Sequence, residues 1–441
     1  MRSPWFLLLL AFVCMAWVVP ATVQEPPEAK PAAPSAREIA AGIATFLEAG
    51  ARAQGEARQQ QRAFLEQLKG LPELKSGEER SWRRKLAEQV ARREKRTWKA
   101  GEDFWWSEPQ RGRFLIGGRT SKPKGLLVAL HGGGTGQADA VKALALYEPV
   151  AQRFGFLLLA PEVLEPVGRA WTRGGTEPWL MQLIEDLCAQ YPIDADRVYL
   201  AGHSMGGIGT WEVGAHHADR FAALYPAAGS PEPLILRESL KLVGIAPGVI
   251  PNLRNLPMVV CQGLDDERVK PDVNRQAARE IAAAREKWGG FSAFDYWELA
   301  DHGHGPPPGG FEKQFERLAT PAREPRPAGL VWQPSLDWKR QFYWLHWEEP
   351  WLGSIVHARC DREKGEVRVE ITPPETEVSR GRGLSVLLHE EMLDLRKPVT
   401  VICNGEIVFA GEVQRRFEVL IDTSCTGDPG LQYSIRVPLP Y

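Results

Sequence analysis

A β-forming run, Arg197-Val198-Tyr199-Leu200-Ala201, leads directly into Gly202-His203-Ser204-Met205-Gly206, and Gly207 to Glu212 continues as helix-compatible sequence. A strand that meets a helix through G-x-S-x-G must turn within a few residues. Side chains at the flanking glycines would strike the strand or the helix, and the serine hydroxyl is left exposed on the bend. The sequence around the bend agrees with it. Short apolar runs at Leu126–Leu130, Phe156–Ala160, Val198–Ala201 and Met258–Cys261 alternate with helical stretches such as Trp179–Cys188 and Asn274–Lys287. Strands that are apolar throughout, separated by helices, predict an α/β fold: a mostly parallel sheet with helices on both faces.

The flanks have a different texture. Residues 37–100 are rich in Ala, Glu, Gln and Arg, with apolar stripes at Phe64, Leu65, Leu68 and at Trp82, Leu86, Val90. That pattern predicts a helical prefix of two helices, broken at Leu71-Pro72. Its basic run, Arg83-Arg84-Lys85 and Arg92-Arg93-Glu94-Lys95-Arg96, is expected to be a solvated helix face rather than a nucleic-acid contact. After a Pro-rich linker over 321–331, residues 332–441 predict a small β-sandwich. Its strand candidates are Val367–Ile371, Leu384–Leu388, Phe417–Ile421 and Tyr433–Val437, with a hairpin at Asn404-Gly405 between Val399–Cys403 and Ile407–Ala410. Seven rings, Trp332, Trp338, Phe342, Tyr343, Trp344, Trp347 and Trp351, crowd the start of this part. Packing between the two folds is the favoured reading, and a sugar- or polymer-binding surface is the other.

Met1-Arg2, the uncharged apolar run Trp5–Val19 and the small residues at Val19-Pro20-Ala21 have the form of a signal peptide over 1–21, followed by a linker over 22–36. Export to a secreted or periplasmic location is expected, with membrane anchoring if the segment stays uncleaved. No stable membrane insertion follows cleavage, because about 20 apolar residues are needed to span a bilayer. Beyond Cys14 the cysteines are Cys188, Cys261, Cys360, Cys403 and Cys425, an odd and scattered set that gives no disulfide framework, although the last three could supply one bridge. With 54 Lys+Arg against 56 Asp+Glu there is no global basic field to draw in nucleic acid.

Three further motifs carry chemistry. His131-Gly132-Gly133-Gly134 follows a strand, where loop amides can hold a developing oxyanion; Gly133 and the amide of Met205, the residue after the serine, are the candidates. Downstream, the strand Met258–Cys261 ends in Gln262-Gly263-Leu264-Asp265-Asp266-Glu267-Arg268-Val269. Either aspartate could orient an imidazole, and the spacing G-x-x-D-x-x-V favours Asp266 over Asp265. Next, Trp297–Leu299 reads as a strand that leads to Asp301-His302-Gly303-His304-Gly305, and one of its two histidines is the expected general base. Two imidazoles without a third ligand do not make a metal site, so neither metal nor cofactor is expected. His216, His217, His346, His357 and His389 carry no motif. Trp171 and Trp179, in a Gly/Pro-bearing segment, are candidates to line the pocket, with core packing as the equal alternative.

Together HGGG, DADRVYLAGHSMGGIGTWEVG, GLDDERV and DHGHG resemble the α/β-hydrolase superfamily, nearest its phospholipase/carboxylesterase-like and secreted esterase branch, which borders on prolyl-oligopeptidase-like peptidases. The resemblance covers about residues 110–320. It implies Ser204 as nucleophile, Asp266 as acid and His304 as base, since members place the base in a Gly-His-Gly context; His302 is the alternative base. Gln262 stands where relatives often have histidine. The implied catalytic domain is 101–320, acting as a serine esterase on a small-molecule or polymer-linked carboxylic ester. A peptidase of the prolyl-oligopeptidase type is the alternative enzyme, although 37–99 is too short for a β-propeller. A degenerate hydrolase core that only binds is the alternative outside catalysis.

Overall fold

The computed structural model describes residues 35–91, 104–108, 111–133, 139–376 and 379–440. The expected signal peptide and most of its linker lie outside the described residues. The described residues open with three helices, α1 (Ala36–Ala49), α2 (Gly55–Leu68) and α3 (Ser76–Ala91). Two helices were expected. The extra break is at Gly50, whose φ of 69° ends α1, a conformation glycine adopts without Cβ strain. Ser35 and Glu38 form a capping box at the start of α1.

The central sheet uses β1 (Phe104–Glu108), β2 (Arg111–Gly118), β3 (Leu126–Leu130), β4 (Leu157–Pro161), β5 (Val198–His203) and β6 (Ala223–Ala227). A small hairpin follows, β7 (Pro233–Leu236) with β8 (Lys241–Ile245), and then β9 (Met258–Gly263) and β10 (Phe294–Leu299) complete the sheet. The eight strands lie in the order β1-β2-β4-β3-β5-β6-β9-β10. All neighbours from β4 to β10 pair in parallel, while β2 runs against both β1 and β4.

Both faces of these strands are apolar because both are covered. On one face Leu127, Ala129, Tyr199, Ala201 and Val259 pack under α4 (Asp139–Phe154) and α8 (Phe311–Glu316). On the other, Leu126, Val128, Leu130, Leu200 and Val260 pack with residues of α5 (Thr176–Gln190), α6 (Met205–His216) and α7 (Asp272–Trp288). A run in which every residue is apolar therefore satisfies two cores at once.

The C-terminal part is a β-sandwich. Its strands are β11 (Gly329–Trp332), β12 (Gln341–Phe342), β13 (Leu345–His346), β14 (Ile355–Asp361), β15 (Glu366–Thr372), β16 (Ser385–Leu388), β17 (Val399–Cys403), β18 (Glu406–Gly411) and β19 (Ile435–Pro438). One sheet has the order β11-β14-β15-β17-β18 and the other β12-β13-β16-β19, and residues of both belong to a single apolar cluster. Asn404 (φ 49°) and Gly405 (φ 90°) make the turn between β17 and β18. Phe417–Ile421, expected as a strand, is instead the start of helix α9 (Phe417–Ser424). Phe417, Leu420 and Ile421 meet Ile43, Phe46, Leu65 and Leu68 of the N-terminal helices. A short apolar run fits either period, and the partner surface selects the helical one.

The span expected to be a linker is packed. Arg323 is buried, with its guanidinium on Asp196, on Asp428 and on the carbonyl of Asp219, and β11 begins within the span at Gly329. Five of the seven rings, Trp332, Phe342, Tyr343, Trp344 and Trp347, are buried in the cluster that joins hydrolase core and sandwich; Tyr343 donates to Ala218 O at 2.8 Å. All five described cysteines are free thiols.

Candidate active site

Successive connections leave the sheet in opposite directions at β3 and β5: α4 leads from β3 to β4 on one side, and α6 leads from β5 to β6 on the other. A crevice opens at the carboxyl ends of strands where the order reverses in this way. His131–Gly133 and Ser204 sit at that point. Ser204 has φ 61° and ψ −122°, a region costly for any residue with a Cβ, by about 1–3 kcal/mol. The main chain is held there by Ser204 N donating to Ala227 O and Ile208 N to Ser204 O, at 2.9 and 3.0 Å. Two glycines are obligatory. A Cβ on Gly202 would sit 2.2 Å from Gly206 O, and one on Gly206 2.0 Å from Leu130 O.

Ser204, His304 and Asp266 form one hydrogen-bonded chain. His304 Nε2 lies 2.8 Å from Ser204 Oγ, and His304 Nδ1 lies 2.8 Å from Asp266 Oδ2. Asp266 follows β9 and His304 follows β10, neighbouring parallel strands, which brings the two loops together. Asp266 is buried, and its Oδ1 accepts the amides of Arg268 and Val269, each at 2.9 Å. Burial opposes its charge, but those amides and the His304 ring prevail and hold the carboxyl below its ordinary pKa. The carboxylate therefore stays ionised and accepts a hydrogen bond from Nδ1–H, which leaves Nε2 free to accept from the serine.

Asp265 and His302 lie outside this chain. Asp265 is exposed and its amide donates to His302 O at 2.9 Å, while His302 Nε2 faces Gly305 O at 3.2 Å. Both shape the turn that presents their neighbours. Two supports have no role that the sequence motifs assign. Asn274, in the first turns of α7, donates to Gln262 Oε1 at 2.8 Å, and Gln262 Nε2 reaches Asp266 Oδ2 at 3.3 Å and Val269 O at 2.8 Å. His203 Nε2 donates to the His304 carbonyl at 2.9 Å; burial lowers its pKa and keeps it neutral.

A cavity of about 180 Å³ opens over Ser204, walled by His131, Gly133, Lys142, His203, Arg268 and His304. Of the described loop glycines Gly132 passes nearer the serine, with 3.4 Å between its Cβ position and Ser204 Cβ, so the glycine loop can approach the reacting atoms. Gly134 lies outside the described residues. The Met205 amide, directly after the serine at the first position of α6, has no intrahelical acceptor.

Trp171 and Trp179 do not line this cavity. Trp171 is 1% exposed, packs against Gly209 and donates to His131 O at 3.1 Å; Trp179 is also buried. Their large apolar area is used in the core, and Trp171 fixes the glycine loop from below. One group beside the cavity has metal-ligand types: His131, Asp139 and Glu162 have donor atoms within 4.8 Å of one another. These atoms are already engaged. Glu162 accepts the amides of Asp139 and Ala140, Asp139 accepts from Lys142, and His131 Nε2 accepts from Val163 N. The set anchors α4 and the loop.

The strand order, with β2 reversed, and the strained serine at the switch point define the class: the chain has the α/β-hydrolase fold, extended by a helical prefix and a β-sandwich. No family model matches it. Over 106 residues it is 32% identical to the bifunctional acetylxylan esterase/xylanase of Neocallimastix patriciarum, a match spanning 24% of this chain and 16% of that relative. Among solved structures it is similar to a thermostable esterase, with 22% identity and a TM-score of 0.35 over 45% of this chain and 54% of that one. It is also similar to a poly(3-hydroxybutyrate) depolymerase from Bordetella parapertussis, with 20% identity and a TM-score of 0.36 over 50% and 88% of the chains. A third is the CE1 ferulic acid esterase of Anaeromyces mucronatus, with 14% identity and a TM-score of 0.34 over 52% and 95%.

Proposed function

We propose that this protein is an exported serine esterase that hydrolyses carboxylic esters through an acyl-enzyme. The observation that carries this reading is the unbroken chain from Ser204 Oγ through His304 to buried Asp266, at 2.8 Å for each link. In the first step His304 Nε2 takes the hydroxyl proton as Oγ attacks the ester carbonyl. The imidazolium is stabilised by Asp266, and the oxyanion by the amides of Met205 and Gly133. His304 then returns the proton to the leaving alcohol. Water, deprotonated by the same nitrogen, releases the acid and regenerates the serine. The chemistry needs no metal or cofactor, because the nucleophile, base and electrostatic stabilisation all come from the chain.

The 32% identity with a relative named for acetylxylan ester cleavage is in line with an ester as substrate. A degenerate core that only binds would not need a serine kept in a strained conformation beside a correctly oriented imidazole. Labelling by a fluorophosphonate, together with hydrolysis of a short-acyl nitrophenyl ester, tests the proposal. Both should occur in the parent protein and vanish in Ser204→Ala, whereas an unlabelled, inactive parent protein refutes it. Export rests on the pattern of residues 1–21, and N-terminal sequencing of the mature protein near Ala21 tests it. Among the described residues no helix is long and apolar enough to cross a membrane.

A further inference from the structure

Arg268 belongs to the wall of the cavity over Ser204, yet its side chain takes no part in the chain of hydrogen bonds beneath. Its base is fixed. The main-chain amide of Arg268 donates to Asp266 Oδ1 at 2.9 Å, and so does that of Val269. The carboxylate that orients His304 thus also sets where the Arg268 side chain starts. Its head is free, for the guanidinium has no carboxylate partner among the described residues. Elsewhere in this molecule Arg220 and Arg323 each contact two carboxylates, and Arg169 is bonded to Glu212. The other cation on the cavity wall, Lys142, is bonded to Asp139 at 3.0 Å and adds no net charge. Asp265 and Glu267, the acidic neighbours of Arg268 in sequence, are exposed and are not part of the wall.

A guanidinium held at its root and unpaired at its tip gives the cavity, among the described residues, one uncompensated positive charge. Its planar fork fits a carboxylate through two parallel hydrogen bonds. Building on the esterase reading above, we infer that Arg268 is a specificity-determining residue that selects esters bearing a free carboxylate. That carboxylate can belong to the acyl part, as in a dicarboxylic half-ester, or to the alcohol part, as in an acylated hydroxy acid.

The test compares kcat/KM within two matched pairs. For the acyl side these are mono-4-nitrophenyl succinate and its methyl ester; for the alcohol side they are 4-acetoxybenzoate and its methyl ester. The parent protein should favour the charged member of at least one pair, and 0.5 M NaCl should weaken that preference, because the guanidinium is exposed. In Arg268→Gln the charged-to-neutral ratio should fall about tenfold, the effect of losing a charge-assisted contact near 1.4 kcal/mol. Arg268→Glu should reverse the preference, and Arg268→Lys should keep part of it. A ratio that moves less than twofold in both pairs, with active Gln and Glu variants and no salt effect on the parent protein, overturns the inference and leaves the esterase reading standing. A parent protein that cleaves neither neutral ester and resists fluorophosphonate removes both.

Discussion

Replacing Asp266 by Asn changes one atom and should nearly stop the reaction. The reason lies in which oxygen is already committed. Oδ1 accepts two main-chain amides, from Arg268 and Val269, at 2.9 Å each. An asparagine here has to keep its oxygen on those donors, since the opposite orientation would point an NH₂ group at two N–H groups. Its nitrogen must then face His304 Nδ1, where the carboxylate oxygen now sits at 2.8 Å. With a donor opposite it, Nδ1 becomes an acceptor and the ring proton moves to Nε2, the atom that must take the Ser204 proton. The loss of the correct tautomer and of the charge that stabilises the imidazolium should together lower kcat by about 10³–10⁴-fold, or about 4–5.5 kcal/mol of transition-state stabilisation. Initial rates on 4-nitrophenyl acetate, with circular dichroism to verify folding, measure it. Asp265→Asn is the control: that residue is exposed and meets the site only through its amide, so its rate should stay within about twofold. His304→Ala should likewise cost far more than His302→Ala. A folded Asp266→Asn variant that keeps more than a tenth of the activity, or a larger loss from Asp265→Asn, would refute the reasoning.

Three further outcomes are expected. Ser204→Gly should abolish hydrolysis yet raise the denaturant midpoint, since glycine relieves the φ of 61° by on the order of 1 kcal/mol; a lower midpoint would show that the elbow is unstrained. Stability should peak near pH 6.5 and fall on acidification, because burial holds His217 at about 4, His389 at about 3 and His346 well below its ordinary value. The unfolded chain takes up these protons below pH 6.5 while the native state refuses them, which costs about 1.4 kcal/mol per pH unit for each histidine. His216, raised by its partner Glu177 against the effect of burial, works the other way above pH 6.5, and a melting temperature that is flat or rising from pH 7 to pH 5 would contradict the scheme. Finally, a chain ending at Ala328 should be insoluble or lose cooperative unfolding, because it strips Lys339 from buried Asp219, Asp428 from Arg323 and α9 from the N-terminal helices; a soluble fragment with a sharp transition would show that the sandwich is dispensable for folding.

Local chemistry was legible in the sequence wherever the backbone itself is the constraint. Gly202, Ser204 and Gly206 could be read because only glycine leaves room for that turn, and β3, β4, β5 and β9 because strands buried on both faces are apolar at every position. Asn404-Gly405 announced its hairpin for the same reason. Pairings between distant segments were beyond such reading. Spacing favours Asp266 over Asp265 and the resemblance favours His304 over His302, but the physical separation arises because β9 and β10 lie side by side and aim one member of each pair at Ser204. Trp171 carries the same apolar area whether it lines a pocket or fills a core, and the position of Gly209 decides for the core. Phe417–Ile421 is helical because the N-terminal helices meet it every third or fourth residue, a partner more than 300 residues away in sequence. Short-range sterics are written into neighbouring residues, whereas burial and orientation are properties of surfaces that exist only once the chain has closed on itself.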